Sequence, residues 1–229
     1  MNKEEKERLK TTYNADSLRP KMLRDFMVKI TPDFYPLPAH AKMMFKDKDL
    51  KGTILDVGAG YGVLSLIAKQ MDPSRELVCL EASEVACHIS VALAFKSETT
   101  IKVCQGFVED YPFEENMFDT LIVSHVLEHI DDTGKVFDWI DKITKPDGTV
   151  FLFLPYEKSH PDPFHLHFFT DVDKEGYVNL RKILDDRGYE IEEFLIYDDK
   201  KLDSDFKDVG MKDQLDFYIK FKVKKGDKK

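Results

Sequence analysis

Ile54-Leu55-Asp56-Val57-Gly58-Ala59-Gly60-Tyr61-Gly62 is the stretch that decides the fold of this 229-residue chain. With Thr53 before it, the run of Ile54, Leu55 and Val57 is aliphatic without alternation, the pattern of a parallel strand covered on both faces. Gly58, Gly60 and Gly62 follow at once, so the backbone can turn sharply and admit a ligand where a Cβ would collide. Val63 to Met71 then reads as a helix whose first N–H groups face back toward the turn, a seat for a small ligand. The spacing narrows the ligand further. A dinucleotide fingerprint needs its third glycine at position 63, where Val63 stands. What remains is G-x-G-x-G with an acid, Asp56, two residues ahead.

From Thr53 onward strands and helices alternate, which argues for an α/β fold with a mostly parallel, doubly wound sheet. Strands read at 53–57, 76–80, 101–104, 118–124 and 149–154, and helices at 63–71, 83–96, 133–143 and 172–187. Two late strands follow at 189–197 and 215–223. The second alternates apolar and polar residues, as a strand near a sheet edge or in an antiparallel hairpin does. Before the sheet, residues 1–50 read as an N-terminal helical segment, serving either as a lid or as docking helices. It holds a charged helix at 3–13, a helix at 17–30 capped by Asp16, a proline-broken aromatic stretch at 31–38 and a short helix at 39–45. Residues 224–229 read as a frayed charged tail.

The totals bound the function. A 42% hydrophobic composition buries a full core, and 34 basic against 43 acidic residues leave a formal charge of −9. That balance disfavours a general nucleic-acid surface, so no nucleic-acid partner is expected. Cys79, Cys87 and Cys104 form no close pair and read as reduced, buried thiols of a cytoplasmic protein. No stretch approaches the roughly 20 apolar residues that span a bilayer, so no membrane partner is expected either.

In open α/β sheets ligands sit at the carboxyl ends of the strands, so the strand-to-helix junctions carry the chemistry. Glu81, followed by Ala82 and Ser83, lies 23 residues after Gly58, against about 20 for the ribose-binding acid of a nucleotide unit. Its carboxylate can accept from both ribose hydroxyls at once.

The glycine turn, Glu81, the segment Ser124-His125-Val126-Leu127-Glu128-His129-Ile130 and the turn Thr144-Lys145-Pro146-Asp147-Gly148 together resemble the class I S-adenosylmethionine-dependent methyltransferases. The likeness is to the small-molecule type. It covers about residues 51–154 well and implies a methyltransferase domain over 51–223. It also implies a Rossmann-like seven-stranded sheet of order 3-2-1-4-5-7-6, the last strand antiparallel, with S-adenosyl-L-methionine as cofactor. Carried onto this sequence, the cofactor contacts fall on Asp56, Gly58, Ala59, Gly60, Gly62, Glu81, Ala82, Phe107, Val108, Ser124 and His125. One departure stands out: in the turn Gln105-Gly106-Phe107-Val108-Glu109-Asp110, Phe107 occupies the place of the family's adenine-binding acid. Phe107 then packs on the purine or belongs to the core, with the Val108 N–H and Glu109 as other adenine partners. The Lys-Pro-Asp-Gly turn reads as architectural, Pro146 stopping a helix and Gly148 permitting the turn.

The acceptor is a small molecule on this reading, taking the methyl on O or N. His125 follows the strand that faces the donor methyl in that fold and is a candidate base. Glu128 and His129, one helical turn away, orient or cap. The segment from Pro155 to Thr170 is crowded with His160, His165, His167, Phe164, Phe168 and Phe169, and His165-x-x-x-Phe169-Thr170 resembles methyltransferases of sugar and lipopolysaccharide clusters. It suggests a sugar or nucleotide sugar, with His165 and His167 catalytic and Thr170 opening a helix. No acid or cysteine is clearly paired with these histidines, so no metal is expected. Two other readings exist: a nicotinamide-dependent enzyme of similar fold, disfavoured by Val63, and a non-catalytic S-adenosylmethionine-binding protein, suggested by Phe107.

Overall fold

The computed structural model describes residues 6–8, 10–12, 14, 50–156, 165–198 and 215–225. The expected helices at 17–30 and 39–45, the stretch 31–38, His160, Phe164 and the last residues of the tail lie outside them. Of the expected helix at 3–13, the described residues are helical.

Strand β1 (Thr53–Val57) is buried from Ile54 onward. Apolar side chains on both of its faces leave it stable only in the middle of a sheet, and it pairs in parallel with β2 (Glu76–Glu81) and β4 (Phe118–Ser124). β3 (Lys102–Gln105) extends the sheet beyond β2, and β5 (Thr144–Tyr156) runs parallel to β4. A short parallel pair, β6 (Phe169–Thr170) with β7 (Val178–Asn179), stands apart. β9 (Leu215–Lys222) lies antiparallel between β5 and β8 (Glu190–Asp198), giving the order β3-β2-β1-β4-β5-β9-β8. That is the expected seven-stranded, mostly parallel sheet with the last strand inserted next to the edge.

Helices cover both faces. α1 (Val63–Met71) buries Leu64, Leu66, Ile67 and Ala68. α2 (Glu84–Lys96) starts where the Ser83 hydroxyl accepts the Ala86 N–H at 3.1 Å. α3 (Thr133–Ile143) is capped in the same way by Asp132 on Lys135 N and buries Val136, Phe137, Ile140 and Ile143, one face at helical spacing.

Two expectations are corrected. The helix expected over 172–187 is only α4 (Leu180–Asp186), and Thr170 lies in β6 rather than opening a helix. Gly176 sits at φ +76°, which breaks the helical path, and the Asn179 side chain caps the helix by accepting from Lys182 N at 3.0 Å. At the Lys-Pro-Asp-Gly turn the left-handed residue is Asp147 (φ +60°), not Gly148. Gly148 is needed for room, since an added Cβ would lie 2.6 Å from Thr144 Cγ2.

Candidate functional site

The carboxyl ends of β1, β2, β3 and β4 bring together Gly58, Ala59, Gly60, Gly62, Glu81, Ala82, Phe107, Val108, Ser124 and His125. Main-chain bonds lock these junctions to one another. Ala59 N donates to Leu80 O at 3.0 Å, Gly62 N to Ala59 O at 2.8 Å and Gly106 N to Glu81 O at 2.9 Å. Ser90 on α2 donates its hydroxyl to Gly60 O at 3.0 Å.

The glycines do different work. Gly58 (φ +63°) is pressed by the β4 side, an added Cβ meeting Val126 Cγ2 at 2.5 Å. Gly60 (φ +54°) faces open space among the described residues, with none of their atoms within 4 Å of an added Cβ. One glycine makes room for a neighbour, while the other leaves space.

Glu81 stands at the rim of that space. Its Oε2 accepts from Gly60 N at 2.8 Å and its Oε1 from Ser83 N at 2.7 Å. Burial raises its pKa, and these backbone N–H groups oppose the rise. With the Ala82 N–H as a third backbone donor, the carboxylate keeps one of its four acceptor sites for a further donor. Asp56 is placed differently. It lies buried behind the turn, where Ser65 donates to its Oδ2 at 2.8 Å, and burial pushes its pKa up to about 7. It braces the strand–turn–helix junction from within.

Phe107 is half-buried rather than core. Lys6 lies 5.4 Å from its ring centre and pairs with Glu109 at 3.7 Å and with Asp110. Asn14 accepts from the Ser83 hydroxyl at 2.7 Å. The N-terminal segment thus touches both the β2 and the β3 junction, contacts with no signal in the sequence pattern.

On the far side His125 has φ +53°, a strained conformation for a non-glycine residue, held by its N–H to Phe153 O at 3.0 Å. Its Nδ1 is 3.4 Å from Glu128 Oε1. The backbone oxygen of Glu128 accepts from Leu166 N at 2.7 Å and His167 N at 3.4 Å, which draws His165 and His167 to the end of β4. His167 Nε2 lies 2.9 Å from Asp131 O. Glu128, expected to orient or cap, stands three residues after His125 and brings its carboxylate to that ring, a contact its i+3 spacing allows.

Residues 55–152 match the family model described as a methyltransferase domain. These residues form a methyltransferase domain. Two curated relatives are similar to part of the chain. The chain is 31% identical over 105 residues to a glycine/sarcosine/dimethylglycine N-methyltransferase of Actinopolyspora halophila, covering 44% of this chain and 18% of that protein. It is 28% identical over 145 residues to a ubiquinone biosynthesis O-methyltransferase of Vibrio atlanticus, covering 62% and 56%. The chain thus spans less than two thirds of either relative. A solved S-adenosylmethionine-dependent methyltransferase from Aquifex aeolicus shares the fold at a TM-score of 0.60 and 14% identity, over 82% of this chain and 94% of that one. The open space at Gly60 beside the Glu81 carboxylate fits S-adenosylmethionine, the cofactor that the resemblance implies. Among the described residues, no helix is long and apolar enough to cross a membrane.

Proposed function

We propose that this methyltransferase domain transfers a methyl group to an O or N atom of a small polar molecule, and that a sugar or nucleotide sugar is the acceptor class. The observation that carries this reading is the Glu81 carboxylate, fixed by the Gly60 and Ser83 N–H groups at the rim of the space that Gly60 leaves open. S-adenosylmethionine, when bound, supplies a methyl carbon already activated by its sulfonium. Glu81 receives the ribose hydroxyls, and Gly58, Ala59, Gly60 and Gly62 provide the close main-chain approach, with Asp56 bracing them from behind. Ala82, Phe107 and Val108 border the adenine, and Ser124 and His125 border the methyl.

Lys6 and Asn14 act as a cover over the donor edge, consistent with their contacts to the β3 and β2 junctions. His125, His165 and His167 form the acceptor wall. Of these, His125 takes the proton that a hydroxyl acceptor gives up. Alignment and exclusion of water supply most of the acceleration, roughly 7–11 kcal/mol where reactants are well oriented. The buried thiols of Cys79, Cys87 and Cys104 suit residence in the reducing cytoplasm.

The experiment is a thermal-shift titration with S-adenosylhomocysteine, then labelled-methyl transfer onto a panel of nucleotide sugars, amines and phenols. Stabilisation by S-adenosylhomocysteine with label on one acceptor class is expected. Stabilisation without transfer to any acceptor would leave a binding protein, and stabilisation by NAD alone would install the nicotinamide reading.

A further inference from the structure

Glu128 is fully buried, and neither carboxylate oxygen has a hydrogen-bond partner among the described residues. Burying a carboxylate without donors is costly by several kcal/mol, so a group held this way needs a cation beside it. His125 lies beside it, with Nδ1 3.4 Å from Oε1. A Glu128 oxygen and one ring nitrogen each of His129 and His165 all lie within 4.8 Å of one another. The His129 and His165 rings meet edge to face, 5.0 Å between centroids.

The two chain segments that carry these groups are fastened by contacts outside the three side chains themselves. The Leu166 N–H, next to His165, donates to the carbonyl of Glu128 at 2.7 Å, and the His167 ring is anchored 2.9 Å from Asp131 O. His129 closes the 3-10 turn Leu127–His129 that begins on the β4 side. The cluster is therefore preassembled from two directions around an orphaned carboxylate.

We propose that Glu128, His129 and His165 bind a divalent transition-metal ion. Two imidazoles and one carboxylate make an N₂O donor set, which suits Zn²⁺, Co²⁺ or Mn²⁺, whereas Mg²⁺ and Ca²⁺ favour all-oxygen sites. Bonds of about 2.0–2.1 Å in a tetrahedral site set the ligand atoms roughly 3.4 Å apart, so rotation of the side chains closes the site. Three protein ligands leave a position open for an outside donor. The expectation of no metal rested on the lack of an acid beside His165 and His167. The fold supplies that acid from after β4, and His167 belongs to the scaffold instead of the donor set. Resting on the proposed function, the open position faces the acceptor side and takes an oxygen of the acceptor.

The test uses the whole chain without a histidine tag, stripped with chelator and titrated with Zn²⁺ by calorimetry and with Co²⁺ by visible absorption. One ion per chain is expected. Glu128→Gln and His165→Ala should each weaken Zn²⁺ binding by about 100-fold or more, beyond the 10–100-fold loss typical of second-shell changes. His88→Ala, on the exposed side of α2, should leave it unchanged. If Glu128→Gln fails to fold, His165→Ala on the half-buried segment decides. Absence of Zn²⁺ binding, or binding equally tight in Glu128→Gln and His165→Ala, overturns the site. A parallel S-adenosylhomocysteine titration separates the two proposals: its binding without Zn²⁺ binding leaves the methyl-transfer reading intact, and Zn²⁺ binding without it leaves only the metal site.

Discussion

At the ends of β1 and β2, contacts are made mostly by main chain over short distances: Ala59 N to Leu80 O, Gly62 N to Ala59 O, Gly60 N to Glu81. At the end of β4, side chains from two remote segments meet instead, with Glu128 and His129 facing His165. A donor edge built from backbone presents the same N–H groups whatever the side chains, and suits a cofactor of fixed shape. A wall built from side chains can be respecified residue by residue, and suits an acceptor that differs between enzymes.

The largest expected effect breaks the donor edge from behind. Burial pushes the Asp56 carboxyl up to about 7, with the Ser65 hydroxyl and N–H only partly opposing it. Because its folded value lies above the ordinary 3.8, the folded chain holds the proton longer than the unfolded chain does. This group therefore stabilises the fold fully at acid pH, and its contribution falls as pH rises to about 7 and stays level above. Asp56→Asn, which keeps an acceptor for Ser65, should gain on the parent by on the order of 4 kcal/mol between pH 4 and 8. Urea unfolding of both proteins at the two pH values reads it. A gain independent of pH would contradict the assignment.

Gly58 and Gly60 sharpen the comparison, because they look alike in sequence and face different things. Gly58→Ala should lower stability by roughly 2–4 kcal/mol, from the left-handed backbone and the clash with Val126. Gly60→Ala should lower stability by only about 1–2 kcal/mol but weaken S-adenosylhomocysteine roughly 10- to 100-fold, the effect of an overpacked contact. Denaturant melts and calorimetry on the pair separate these, and equal loss of affinity without any difference in stability would erase the distinction. The smallest effect is expected for Lys6→Ala, which removes the pairs to Glu109 and Asp110. A change of less than about 1 kcal/mol in S-adenosylhomocysteine binding is expected, easing further in high salt.

The strand–turn–helix unit was legible in the sequence because it is contiguous: strand, glycines and helix lie within residues 53–71, and Glu81 ends the next strand. The separate duties of Gly58 and Gly60 were not, since Val126 reaches Gly58 only after β4 folds alongside β1. Phe107 read as core or purine contact, and its neighbour Lys6 comes from far away in the chain. The helix expected over 172–187 overran because apolar spacing carries no record of the break at Gly176 or the cap at Asn179. The burial of Glu128 was not legible for a different reason: a glutamate is ordinarily exposed, and only the tertiary fold buries this one among imidazoles. The order of the sheet came from family resemblance, whereas the identity of its strands came from the residues.

The division between donor edge and acceptor wall is tested most directly by calorimetric titration of S-adenosylhomocysteine into the parent, Glu81→Gln and His165→Ala proteins. Glu81→Gln, losing a charged acceptor for the ribose hydroxyls, should bind roughly 10- to 100-fold more weakly, the 1.5–3 kcal/mol of a charge-assisted bond. His165→Ala should match the parent within about twofold, since additivity between separate sites holds to 0.3–0.5 kcal/mol. Unchanged binding in Glu81→Gln, or a loss in His165→Ala as large as that expected for Glu81→Gln, would contradict the division.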